Sequence, residues 1–315
     1  MAKYVLKRVL LLIPVLIGIS LLIFFILDFS PGDPARLILG QSASQEAVDA
    51  LHEKLGLNRP FFTRYFDYIF HVIRGDLGSS WRNSAAISQE IGLRLRPTLT
   101  VAMAGIAIAI LLGIPLGIIS AVRQYSVMDV SGQVLAVILS AMPGFLVAMV
   151  LSLFFALRLG WFPATFPAAG VSARHYVLPS LAVAASALAG IMRMTRSSML
   201  EVIRQDYVRT AKAKGASRRQ QIFKHSLRNA LLPVITQIGM LVVGTIGGAV
   251  IVEQVFAIPG MGTYILGAVR SKDVPAVMGS VLLIALFAGV VNLLVDLLYA
   301  YIDPRIKSQY ARNPR

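Results

Sequence analysis

Cysteine is absent from this chain of 315 residues. Its absence excludes disulfides, thiolate metal sites and cysteine nucleophiles, and leaves the compartment open. Charge is scarce as well: 14% of the residues are Asp, Glu, Lys or Arg, against 57% hydrophobic, with a mean hydropathy of +0.73. Such a balance argues against a soluble fold. There is no G-x-x-x-x-G-K-[ST] string and no Gly-Lys dipeptide, so the backbone cradle and lysine of a P-loop ATPase are missing. The four histidines, His52, His71, His175 and His225, fall in or beside loops. None stands at metal-ligand spacing from another or from a carboxylate, so neither a metal site nor a hydrolytic centre is expected.

What is present is a succession of apolar runs, at about 9–27, 98–122, 132–157, 176–192, 230–252 and 277–302. Each is near the roughly 20 residues that a helix needs to cross hydrocarbon, the fourth being the shortest. The expectation is an all-α membrane protein of six transmembrane helices. The first run, although preceded by Lys3, Lys7 and Arg8, is longer than the 7 to 15 or so residues of a signal-peptide core, and reads as a retained span.

The net charge of +15 follows from 30 basic and 15 acidic residues. The basic residues flank the apolar runs instead of clustering on a recognition element, which points to topology and not to nucleic acid. Lys and Arg number three before the first run, one in 123–131, ten in 193–229 and four in 303–315, which makes eighteen on one side. Twelve lie on the other, eight of them in the long segment 28–97 beside eight acidic residues. Because the rule applies to short loops, the comparison is eighteen against four, and both termini are expected in the cytoplasm.

The external segment 28–97 carries helix signals of its own. Ser44 stands as a cap before Val48, Leu51 and Leu55, Gly56 as a stop and Pro60 as a restart. Phe62, Tyr65, Phe66, Ile69, Phe70 and Ile73 then recur at helical spacing, as for a helix packed on the spans or the membrane. Gly105, Ala109, Gly113 and Gly117 form a small-residue ridge on the second span, and Gly244 and Gly248 repeat the pattern on the fifth. Pro14, Pro115 and Pro143 each remove a backbone donor and can bend their helices. Asp296, one helical turn after Asn292, reads as the acidic residue well inside a span. Two roles stay open for it: anchoring near the cytoplasmic boundary, or ion coupling.

The segment 193–229 is the cytoplasmic loop large enough to receive energy from outside the spans. Met199, Leu200, Ile203, Tyr207, Val208 and Ala211 make one helical stripe, with Arg204, Arg209 and Lys212 elsewhere. Gly215 supplies a left-handed stop, and Ser217 with Gln220 fits a capping box opening a second helix with Ile222, Phe223 and Leu227 on one face. A helix, a glycine turn and a second helix make a protrusion suited to slotting into a partner's groove.

Here the sequence resembles a known family. DYVRTAKAKG at 206–215, followed by LRNALLP at 227–233, is similar to the EAA-type coupling loop of ABC importer permeases, in the dipeptide, oligopeptide, glutathione and nickel branch. PGDP at 31–34, LGLNRP at 55–60, RGDLGSSW at 74–81, VEQVFAIPGMG at 252–262 and DPRI at 303–306 resemble that branch in the same order, over essentially the whole chain. Arg209, Thr210 and Ala211 stand where the broad pattern has Glu-Ala-Ala, and Leu232-Pro233 comes later than the general spacing, so only Ala211 and Gly215 carry over directly.

The resemblance implies a type I importer permease fold with spans 2–6 in a core at 98–302. It implies ATPase coupling through Asp206, Tyr207, Arg209, Thr210, Ala211, Gly215, Ala216 and Ser217. It also implies a bacterial inner-membrane complex containing a second related permease, two ABC ATPase subunits that bind ATP and Mg, and a periplasmic or lipid-anchored solute-binding protein. No cofactor and no catalytic residue is expected of this chain, and its substrate-binding residues are not legible. An ion-coupled secondary transporter or channel is the alternative, for which Asp296 is the group on offer.

Overall fold

The computed structural model describes residues 2–302, so the tail at 303–315, with its DPRI motif, lies outside the described residues. Among the described residues the regular structure is helical apart from an isolated bridge between Ser79 and Ala86. Five helices are long and apolar enough to cross a membrane, and six spans result when one sharply bent pair is taken as a single span. The chain divides into two compact units: residues up to Pro97 together with Pro259–Val290, and Thr98–Ile258 together with the chain from Val291.

The first unit contains helix α1 (Ala2–Phe29), which passes Pro14 unbroken, followed by α2 (Pro34–Leu39), α3 (Gln45–Leu55) and α4 (Phe61–Ile73). The caps are where local chemistry puts them. Ser44 Oγ accepts from Ala47 N at 3.3 Å, and Gly56 closes α3 at φ 69°, a left-handed conformation that costs glycine little. Tyr65 of α4 is buried against Phe24 of α1, ring edge to ring face at 5.6 Å, and shares a 2.8 Å hydrogen bond with Ser20. Phe62, Phe66, Phe70 and Ile73 point outward instead, so the apolar residues of α4 divide between two faces. Outward apolar residues of this kind suit a lipid surface.

The same unit contains α12 (Met261–Arg270), preceded in chain order by the helices of the second unit. Between α12 and the next helix, Lys272 and Asp273 are both buried. Lys272 Nζ donates to Gly32 O at 2.6 Å and to Ser30 O, while Asp273 accepts from Ser80 Oγ and from Trp81 N at 3.2 Å. Two adjacent residues thus hold the PGDP and RGDLGSSW segments in place. Burial pulls the Lys272 ammonium below its ordinary pKa, with Asp33 and Asp28 acting in the opposite direction. His52 of α3 bonds Asp33, nineteen residues earlier, at 2.7 Å.

The second unit is built around α8 (Ala173–Ile203), which follows α5 (Ile87–Val122), α6 (Val127–Ala141) and α7 (Gly144–Leu151). The ridge on α5 packs on α8. A Cβ on Gly105 would meet Val183 at 2.9 Å, and one on Gly117 would meet Thr195 Cβ at 2.6 Å, so two backbones approach to where only glycine fits. The third run, 132–157, contains Pro143, a residue able to bend its helix, and there α6 and the Gly144–Arg158 segment are bent by 105° relative to each other. Pro143 is the cause. It caps α7, and Met142 before it takes ψ 126°, the extended region into which a following proline ring forces its neighbour. A π-helical stretch, Ser152–Arg158, follows α7.

The fourth apolar run, 176–192, underestimates its helix, because α8 continues through Arg193 and Arg196 to Ile203. Hydropathy marks where apolar residues stop, whereas the helix continues as long as its charged side chains find partners. The remaining helices are α9 (Asp206–Ala213), the short α10 (Arg218–Gln220), α11 (Leu227–Val255) and α13 (Val274–Ile302).

Candidate coupling site

The segment 204–226 folds as short helical pieces between α8 and α11. The stripe predicted as one helix from Met199 to Ala211 breaks at Arg204 and Gln205; Gln205 is extended at ψ 148°, and α9 begins at Asp206. Helix α9 closes on Lys214, and Gly215 turns the chain at φ 84° while Ala216 N donates to Ala211 O at 3.0 Å. The capping box predicted at Ser217 forms in full: Gln220 N donates to Ser217 Oγ at 3.3 Å, and Ser217 N to Gln220 Oε1 at 2.9 Å. A π-helical segment, Gln221–Ser226, then leads into α11.

Most of the apolar stripe is spent inside the chain. Met199 is wholly buried with Ile118, Ala121 and Ala230, against which Leu200, Ile203, Ile222 and Leu227 also pack. Val208 is buried as well. What remains outward is Tyr207, held by a 2.8 Å bond from Asn229 Nδ2, and Phe223. Between the two helical pieces lies an open concavity of about 470 Å3, lined by Tyr207, Thr210, Ala211, Lys214, Gly215 and Ala216 among others. Asp206, Arg209 and Ser217 are exposed but are not part of that lining, and Asp206 and Arg209 form a loose surface pair at 3.7 Å.

The loop is mounted on a clamp that sequence reasoning missed. Arg196 of α8 donates from Nε and Nη2 to the two oxygens of Asp129 on α6, at 2.7 and 2.8 Å. Asp129 is almost fully buried and also accepts from Ser120 Oγ of α5 and from Tyr125 N at 2.9 Å. Three helices are therefore locked together by one carboxylate. The sequence signal for Asp129 is the same as for Asp296, an acidic residue among apolar neighbours. Glu253 was missed for a related reason: the apolar run ends at Val252, but α11 continues to Val255, and Glu253 lies within it, fully buried, accepting from Thr98 Oγ1 at 2.5 Å. Asn292 and Asp296 lie on α13, the first exposed and the second half-buried.

Residues 113–308 match the family described as binding-protein-dependent transport system inner membrane component, and residues 1–102 match the N-terminal part of such membrane components. The chain belongs to this family. It is a permease subunit of an ABC importer, a multi-pass protein of the inner membrane and a non-catalytic one. Among its relatives are the dipeptide transport system permease protein DppB of Alkalihalophilus pseudofirmus, at 40% identity over 98% of this chain and all of that protein. The glutathione transport system permease protein GsiC of Salmonella typhimurium is also 40% identical, over 98% of this chain and 99% of the relative. The oligopeptide transport system permease protein AppB of Bacillus subtilis is 38% identical over 98% of this chain and all of that protein. The permease thus works within a system that depends on a binding protein.

Proposed function

We propose that this permease carries peptides or a closely related small solute, glutathione included, and that the turn at Gly215 is where partner ATPases transmit their work. The substrate class rests on relatives whose names specify dipeptide, oligopeptide and glutathione transport. The coupling role rests on one observation above others: the concavity around Gly215 is open, polar in part, and framed by a left-handed turn and a complete capping box. A groove that keeps its shape can pass on a displacement.

In this reading both termini and the coupling loop are cytoplasmic, segment 28–97 faces a periplasmic or lipid-anchored binding protein, and a second related permease completes the pathway. Two ATPase subunits bind ATP and Mg and close on each other; the coupling helices move with them, and the pathway alternates between outward and inward access. Asp296 serves as an anchor, so Asp296→Asn retains uptake. The direct test places a cysteine at exposed Lys214 in the otherwise cysteine-free subunit and cross-links the assembled complex. Covalent capture of an ATPase subunit is expected. Failure to capture it, in a complex that still contains the ATPases, would assign coupling to another surface.

A further inference from the structure

Helix α8 is the most enclosed candidate span, and what it leaves uncovered is unusual for a membrane helix. From Tyr176 to Leu200 the exposed residues are Ser186, Arg193 and Ser197. Seven and eleven residues after Ser186 are nearly whole numbers of turns, so the three lie on one narrow face, Arg193 about 10 Å of helical rise beyond Ser186. Over residues 101–122 the neighbouring α5 shows the opposite chemistry: Met103, Leu111, Leu112, Leu116 and Ile119 are its exposed large residues there, as lipid requires. Ser186 lies inside the apolar run 176–192, where a hydroxyl does not face hydrocarbon without cost, and Arg193 and Ser197 carry the same face on past the end of that run. Charged groups in spans turn instead towards water-filled paths.

The two arginines of α8 differ in their partners. Arg196 is neutralised by Asp129, at 2.7 and 2.8 Å. Arg193 donates from Nη1 to Ser140 Oγ at 3.0 Å, a neutral acceptor that leaves its positive charge uncompensated among the described residues. Ser140 lies just before the bend at Pro143, so Arg193 sits where the broken span changes direction.

We infer that the Ser186–Arg193–Ser197 face of α8 lines the aqueous route of the solute, and that Arg193 is the charge that meets a carboxylate of the passing molecule. The inference deepens the transport reading and rests on it. Peptides and glutathione share a free carboxylate, whose two oxygens suit a guanidinium fork.

The test uses the whole transporter complex in nanodiscs, open to reagent from both sides, with single cysteines at Ser186, Ser197 and, as a lipid-facing control, Leu111. Anionic and cationic methanethiosulfonates are the probes, so no substrate need be known. Cysteines at Ser186 and Ser197 should react, and the one at Leu111 should not. At Ser197→Cys, adding Arg193→Gln should lower the anionic-to-cationic rate ratio on the order of fivefold, as removal of a nearby charge dictates, and Arg193→Lys should restore it. Unreactive cysteines at Ser186 and Ser197 would show that lipid or protein covers the face, and an unchanged ratio would remove Arg193 from the route. Co-purification and ATP hydrolysis, measured on the same samples, report the transport reading separately; their loss in wild type would sink that reading and leave the reactivity result standing.

Discussion

The guanidinium of Arg196 grips both carboxylate oxygens of Asp129, 67 residues earlier, and the grip joins α8 to α6 close to where α8 ends and α9 begins. Because Asp129 also draws in Ser120 of α5, the base of the 204–226 segment joins three helices.

Removing one partner of this joint leaves a buried charge uncompensated. Arg196→Ala should therefore destabilise the purified subunit by about 3 kcal/mol, and Arg196→Lys, which keeps charge but loses the planar fork, by less. Thermal unfolding in detergent measures both. A melting temperature unchanged in Arg196→Ala would mean that the pair contributes nothing.

The two glycine ridges should respond differently to the same change. A Cβ at Gly117 would lie 2.7 Å from Met192 O, a backbone atom that cannot swing away, whereas one at Gly244 meets nothing within 4 Å. Gly117→Ala is expected to cost about 1–3 kcal/mol through overpacking, and Gly244→Ala to be neutral or slightly stabilising in the isolated subunit. Equal melting temperatures for the two variants would contradict the close approach of α5 and α8.

At Gly215 the space is open and the constraint lies in the backbone alone, at φ 84°. Gly215→Val should insert at normal abundance yet reduce ATPase co-purification or receptor-stimulated hydrolysis, since a β-branched residue enters this region at a cost of about 1–2 kcal/mol. Gly215→Asn, which tolerates the left-handed region, should keep both. Wild-type behaviour of the valine variant in both assays would detach this turn from energy transmission.

Topology can be read with the same cysteine-free background. Single cysteines at Ser79 and Ser217, treated with an impermeant thiol reagent on intact spheroplasts, should give labelling of the first alone, as the distribution of Lys and Arg demands. The reverse pattern would invert the protein.

Much here was settled by neighbours in sequence. Composition and run length determined a polytopic helical membrane protein, and Ser44, Gly56, Gly215 and the Ser217–Gln220 box occupy the positions that their local chemistry announced, because a cap or a left-handed turn is decided within four or five residues. Tertiary structure alone decided the rest. It paired Asp129 with Arg196 and Glu253 with Thr98, and it buried a stripe that periodicity showed only as apolar, whereas the break in the third span comes from Pro143, a local signal. The physical reason is the solvent. In a bilayer an apolar residue is as content against lipid as against another helix, so hydropathy finds the spans without saying which face turns inward. That choice falls to the few polar and small residues whose partners lie far away along the chain.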